Sequence, residues 1–172
     1  ALIGAGRMGA ALVRGWLASG TGSPIIIVDP APSEDVSSWA STGKVSLNPA
    51  PEPADIVVLC VKPQVFASTI EPTSPFIGPD TLILSVMAGI LLKQLASSFG
   101  SSRIVRAMPN TPGAIGQGVT VISAPPGADP ADIDAATGLL SALGVVEGPI
   151  DEKLIPAATG VSGSGPAYVF LL

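Results

Sequence analysis

An apolar run, Ala1-Leu2-Ile3, meets Gly4-Ala5-Gly6-Arg7-Met8-Gly9, and from Met8 onward apolar residues recur at helical spacing. The repeat runs through Leu12, Val13, Trp16 and Leu17 until Gly20 ends it. A short apolar run stopped by glycine reads as a buried parallel strand. The spacing behind it reads as an amphipathic helix closed by a glycine cap. Strand, glycine turn and helix in that order leave little choice of geometry. Gly4 permits the tight turn, Gly6 lets a pyrophosphate approach the backbone, and Gly9 lets the helix pack close to the strand. The helix then presents free N–H groups and its positive dipole end to the phosphates. The pattern predicts a dinucleotide-binding turn. A glycine turn with a purely structural task is the plainer alternative.

Asp29 follows Gly9 by twenty residues and closes a second β-branched run, Ile25 to Val28. A carboxylate there accepts hydrogen bonds from the adenosine ribose hydroxyls and repels a 2′-phosphate, and no arginine or lysine within the next ten residues would receive that phosphate. Taken alone, these residues favour NAD over NADP. The competing reading is that Asp29 only opens the Asp29-Pro30 turn.

The remainder repeats the alternation. Strands are expected at Lys44 to Leu47, Ile56 to Val61, Thr81 to Val86, Arg103 to Met108, Val119 to Ser123 and Val145-Val146. Helices are expected from Ser33 to Thr42, Gln64 to Glu71, Leu91 to Phe99 and Asp129 to Leu143, with Ser33 and Asp129 as caps. Pro109-Asn110-Thr111-Pro112-Gly113 breaks all regularity. Strands alternating with helices of about ten residues imply right-handed βαβ units. The expected fold is α/β, a Rossmann-like doubly wound and mainly parallel sheet over residues 1–150. Residues 151–172 then begin a connecting helix, with Pro166 to Leu172 as its opening apolar turns, and the whole reads as one domain of a longer protein.

Composition removes other classes. Among 172 residues there is no histidine, which excludes every Ser-His, Cys-His and imidazole-ligated mechanism. Cys60 is the sole cysteine, so no internal disulfide or CxxC site forms, and its apolar surroundings mark it as a packing residue. Eight basic residues, scattered along a chain of net charge −5, offer no stripe for nucleic acid. No apolar stretch is long enough to cross a bilayer, and no signal peptide is visible. The expectation is a reduced, soluble, cytoplasmic protein that binds no metal.

Four further segments together resemble one family. They are Cys60-Val61-Lys62-Pro63-Gln64, then Ser85-Val86-Met87-Ala88-Gly89-Ile90, then Ala107-Met108-Pro109-Asn110-Thr111-Pro112 with Gly116-Gln117-Gly118, and Val161-Ser162-Gly163-Ser164-Gly165-Pro166-Ala167-Tyr168. Their order and spacing are similar to pyrroline-5-carboxylate reductase, the last enzyme of proline biosynthesis. The resemblance implies a Rossmann-like domain that binds NADPH or NADH, followed by an all-helical domain that mediates dimerisation and so makes the protein a homo-oligomer. That domain, with its Gly-Gly-Thr-Thr substrate segment, is absent from this sequence. Family habit favours NADPH, against the indication from Asp29.

By this resemblance the cofactor side takes in the turn residues Gly4, Ala5, Gly6, Arg7, Met8 and Gly9. Asp29 and Asn48 join them, with Cys60, Val61, Lys62 and Pro63 after the fourth strand and Val86, Met87 and Ala88 after the fifth. Asn110 and Thr111, compact and held between two prolines, are expected to flank nicotinamide and substrate; a turn capping its own backbone is the alternative. Ser162, Gly163 and Ser164 are substrate-side candidates, in a bent, donor-rich segment suited to an anion or to close helix packing. A histidine-free site suits reduction of a cyclic imine, whose nitrogen carries its own proton, better than reduction of a ketone, whose alkoxide needs a proton donor. Two rivals stay open: a β-hydroxyacid-type dehydrogenase, and a non-catalytic module that senses dinucleotide redox state.

Overall fold

The computed structural model describes residues 1–20, 22–165 and Tyr168. Its strands are β1 (Leu2–Ile3), β2 (Ile26–Val28), β3 (Ser46–Leu47), β4 (Ile56–Leu59), β5 (Leu82–Ser85), β6 (Ile104–Met108), β7 (Gly118–Ser123) and β8 (Gly144–Glu147). Between them lie α1 (Arg7–Ser19), α2 (Glu34–Ser41), α3 (Phe66–Thr73), α4 (Leu92–Phe99) and α5 (Pro130–Leu140), and α6 (Ile155–Thr159) follows β8. All eight strands join one sheet in the order β3-β2-β1-β4-β5-β6-β7-β8. The chain winds outward from β1 in both directions, so the strand order reverses between β1 and β4. This is the doubly wound, Rossmann-like arrangement, and ligands in such sheets bind at the carboxyl ends beside the reversal.

Periodicity explains which face each helix covers. Leu12, Val13 and Trp16 of α1, Val36 of α2, and Ala136 and Leu140 of α5 bury against one face, around Leu2, Ile27, Val58, Leu84 and Val105. Phe66 of α3 and Leu95 of α4 bury against the other, around Ile3, Val57, Leu59, Ile83 and Ile104. Neighbouring residues of one strand thus feed opposite layers, and strands buried on both faces read as unbroken apolar runs.

Four local expectations are adjusted. β6 and β7 pair antiparallel, Ala107 opposite Ile122, while every other pair is parallel. The nine residues between them are too few for a parallel crossover, which needs a dozen or more. They fold instead into a 3-10 turn at Thr111–Ile115. Pro63 holds Lys62 extended, so the chain passes through a 3-10 turn at Pro63–Val65 before α3 begins at Phe66. α5 stops at Leu140 and tightens into a 3-10 turn, Ser141–Leu143, ahead of Gly144 at φ 126°.

The last adjustment concerns the segment after β8. Helical structure starts with a 3-10 turn at Glu152–Leu154 and runs through α6 into a π-helical turn, Gly160–Ser164. Ser162, Gly163 and Ser164 are therefore inside a helix and do not form a bend ahead of one. The apolar turns expected from Pro166 to Leu172 fall outside the described residues, apart from Tyr168, which is helical and exposed.

Candidate dinucleotide site

Register lines the candidate residues up. Ile3 pairs with Val28 and with Leu59, and Leu59 pairs with Ser85. The next residue of each strand, Gly4, Asp29, Cys60 and Val86, therefore stands on one line along the carboxyl edge. Backbone bonds hold that line: Gly4 N–H donates to Val28 O, Cys60 N–H to Ile3 O, and Val86 N–H to Leu59 O. Asn48 extends it past β3, its N–H donating to Ile27 O.

The turn itself is cramped except at one point. Gly4 has φ +88°, and a Cβ there would lie 2.8 Å from Val61 Cγ1 and 3.0 Å from Cys60 O. A Cβ on Gly9 would strike the Gly4 carbonyl oxygen, so the helix touches the turn there backbone to backbone. At Gly6 a Cβ would meet nothing within 4 Å. Glycine at 6 therefore serves no packing need, and the space beside it is open. Gly6 is also the N-cap of α1, and no side chain caps that end. An open cradle at the uncapped end of a 13-residue helix fits a phosphate. Arg7 is exposed and Met8 half-buried beside it.

Asp29 has partners that the sequence does not announce. Its Oδ2 accepts the Ala5 N–H at 2.7 Å, and its Oδ1 accepts the Ala31 N–H at 2.8 Å. The carboxylate thus ties the end of β2 to the glycine turn, and it also closes its own Asx turn through Pro30. A carboxylate offers about four acceptor sites, so two remain for a ribose. Asn48 secures this acid in turn: Asp29 N–H donates to Asn48 Oδ1 at 2.9 Å, and Asn48 Nδ2 donates to Asp29 O at 2.9 Å. Asn48 does so from φ 48°, a left-handed conformation that asparagine tolerates better than most residues.

The other candidates differ in what they show to the edge. Met87 is 1% exposed, its side chain in the core, so only its backbone and exposed Ala88 face outward. Ala5 is likewise buried, with its N–H spent on Asp29. Burial pushes the Cys60 thiol up to about 12, so it stays protonated and unreactive at neutral pH. Val61 and Pro63 are half-buried, and Lys62 between them is exposed, with no ion pair among the described residues.

Asn110 engages both ends of its amide with protein. Oδ1 accepts the Val119 N–H at 2.9 Å, and Nδ2 donates to the Ser162 carbonyl at 3.2 Å. It joins the loop after β6 to the start of β7 and to the helix beyond β8. Thr111 opens the 3-10 turn and is exposed. The Ser162 hydroxyl donates back to Ala158 O at 2.9 Å, while Gly163 and Ser164 are exposed on the π-helical turn. Asn110 thus brings the Ser162 segment to the carboxyl edge. No group of His, Cys, Asp and Glu among the described residues could hold a metal, and no described helix is long and apolar enough to cross a membrane.

Residues 1–89 match the family described as NADP oxidoreductase, coenzyme F420-dependent. The chain belongs to this family. Within it, the resemblance seen in the motifs extends over the whole chain. The pyrroline-5-carboxylate reductase of Pseudomonas aeruginosa is 38% identical over 177 residues, spanning 100% of this chain and 65% of that protein. Among solved structures, a pyrroline-5-carboxylate reductase from Coxiella burnetii superposes with a TM-score of 0.87 at 29% identity, covering 99% of this chain and 65% of that one. The Plasmodium falciparum pyrroline carboxylate reductase with NADP bound gives 0.77 at 28%, covering 99% and 64%. The chain spans about two thirds, 65% or slightly less, of the relatives it matches.

Sequence reasoning missed two residues of this chain, Arg106 and Glu152. Arg106 lies in β6 between Val105 and Ala107, 3% exposed, and its Nη1 donates to Glu152 Oε1 at 2.8 Å. A signal was present: one arginine inside an apolar strand demands a buried partner. Its identity, 46 residues away, had no local trace.

Proposed function

We propose that this chain supplies the NAD(P)H-binding part of a pyrroline-5-carboxylate reductase, which reduces 1-pyrroline-5-carboxylate to L-proline. The observation that carries the reading is the alignment of the turn, Asp29, Cys60-Val61-Lys62-Pro63 and Val86 on one carboxyl edge, in a chain with reductase relatives along its full length. The residues fit the cofactor: the open Gly6 cradle suits a pyrophosphate, and the half-buried and exposed groups after β4 and β5 line the path from it.

The bound dinucleotide supplies a hydride at C4 of its nicotinamide. This chain's residues then bind and orient. Gly6 and the first N–H groups of α1 hold phosphate. Asp29, steadied by Asn48, holds the turn and faces the ribose. Lys62 offers a cation to a phosphate, ribose or substrate carboxylate. Asn110 sets the loop on which Thr111 stands, and Ser162, Gly163 and Ser164 face the substrate side. The imine nitrogen brings its own proton, so no histidine is needed.

By this reading the working enzyme is a homo-oligomer in the cytoplasm, where Cys60 stays a free thiol. Oxidation of NADH and NADPH by the intact protein, followed at 340 nm with pyrroline-5-carboxylate and in parallel with a 3-keto acid, tests the reading. Turnover with the imine alone is expected. Equal turnover with the keto acid would favour the hydroxyacid-type rival, and none with either would favour the sensing module.

A further inference from the structure

The segment after β8 has little apolar purchase on the domain. From residue 155 to residue 165 only Ile155 is buried, while Val161 is 79% exposed. Two polar fastenings hold it instead. The first is at its root: Glu152 Oε1 accepts both Arg106 Nη1 and the Leu92 N–H, each at 2.8 Å. Leu92 is the first residue of α4, so its N–H has no partner within that helix. A strand, a helix start and the turn leading into α6 thus converge on one carboxylate oxygen. The second fastening is the bond from Asn110 Nδ2 to the Ser162 carbonyl. Ten residues of helix separate the two, roughly 15 Å of rise. A rod held at one point pivots; held at two, it has a direction.

Arg106 cannot simply be left alone. It is 3% exposed, and removing the partner of such a charge is far more damaging than replacing both partners by apolar groups. Its position on β6, two residues from Met108, places it directly under the loop that carries Asn110.

We propose that Glu152 is a positioning residue: clamped by Arg106 and the start of α4, it locks the root of the helix and so sets where Ser162-Gly163-Ser164 stands against the carboxyl edge. What it positions rests on the function proposed above; the lock itself does not.

The test uses the intact protein with Glu152→Ala, Glu152→Gln and the double variant Arg106→Met/Glu152→Leu. Amide exchange at residues 155–162 should accelerate about tenfold or more in Glu152→Ala, with exchange in β1 and α1 unchanged. NAD(P)H affinity by direct titration should stay within about twofold while kcat/KM for the imine falls about tenfold or more, as misplacement of a binding group predicts. Glu152→Gln, which keeps an acceptor for the Leu92 N–H, should recover part of both losses. The double variant covers the case in which Glu152→Ala does not fold. It should regain thermal stability yet keep the fast exchange and the low kcat/KM, because an apolar contact restores packing but not direction. A stable double variant with normal exchange and normal kinetics would overturn the proposal. So would unchanged exchange in folded Glu152→Ala, or a fall in dinucleotide affinity parallel to the fall in kcat/KM. If the wild-type protein does not reduce the imine, the functional reading fails while the exchange measurements still decide the lock.

Discussion

Asp29 Oδ2 accepts the backbone N–H of Ala5 at 2.7 Å, so the acid at the end of β2 holds the glycine turn at the end of β1. The residue expected to read the ribose also braces the loop proposed to receive the phosphates. Hydrogen bonds to a charged group contribute about 1.5–3 kcal/mol each, and Asp29 accepts two from backbone. Asp29→Ala should therefore weaken NADH and NADPH together, by about tenfold or more, since 1.4 kcal/mol is a factor of ten. Side-by-side titrations check this. A selective gain for NADPH would instead show a carboxylate whose main task is to repel the 2′-phosphate.

Gly6 and Gly9 separate folding from binding. A Cβ on Gly6 meets nothing in the protein, so Gly6→Val should melt close to wild type yet lose dinucleotide binding by calorimetry. A Cβ on Gly9 meets the Gly4 carbonyl oxygen, which cannot swing aside as a side-chain end could. Gly9→Ala should cost about 1–3 kcal/mol of stability as the helix is forced off the turn, measured by denaturant unfolding. Equal stability loss in both variants would contradict the open cradle.

Asn110→Ala should take away the acceptor for the Val119 N–H and free the Ser162 carbonyl. We expect about 0.5–1.5 kcal/mol of destabilisation per bond lost and a fall in kcat/KM for the imine, with NAD(P)H affinity nearly unchanged. A drop in NAD(P)H affinity as large as the drop in kcat/KM would mean that Asn110 touches the nicotinamide itself.

Cys60 predicts an alkaline limb. Its thiol is pushed from 9.0 up to about 12 by burial, so the folded state keeps a proton that the unfolded chain loses near pH 9. Unfolding then releases that proton, and this contribution to stability is full below pH 9 and falls between 9 and about 12. The slope is at most about 1.4 kcal/mol per pH unit. Urea unfolding of wild type and Cys60→Val at pH 8 and 10 should show the smaller loss in the valine variant, and Cys60 in the folded protein should resist alkylation at pH 7.

The sequence by itself determined the elements and the turn, because what specifies them is local. Gly4 must adopt a positive φ beside β1, Leu12, Val13 and Trp16 must share a face, and Ser33 and Asp129 cap the helices that follow them. These are demands made within a few residues by backbone sterics and periodicity. From such units the doubly wound, mainly parallel sheet follows by chain handedness. The tertiary structure alone decided what the polar side chains do. Asp29 finds the Ala5 N–H 24 residues away, Asn110 the Ser162 carbonyl 52 away, and Arg106 the Glu152 carboxylate 46 away. A carboxylate or amide in a loop has several partners of similar strength, and only the packed chain determines which lies within hydrogen-bond reach. The same holds for β7, whose antiparallel pairing depends on a nine-residue connection too short to cross the sheet.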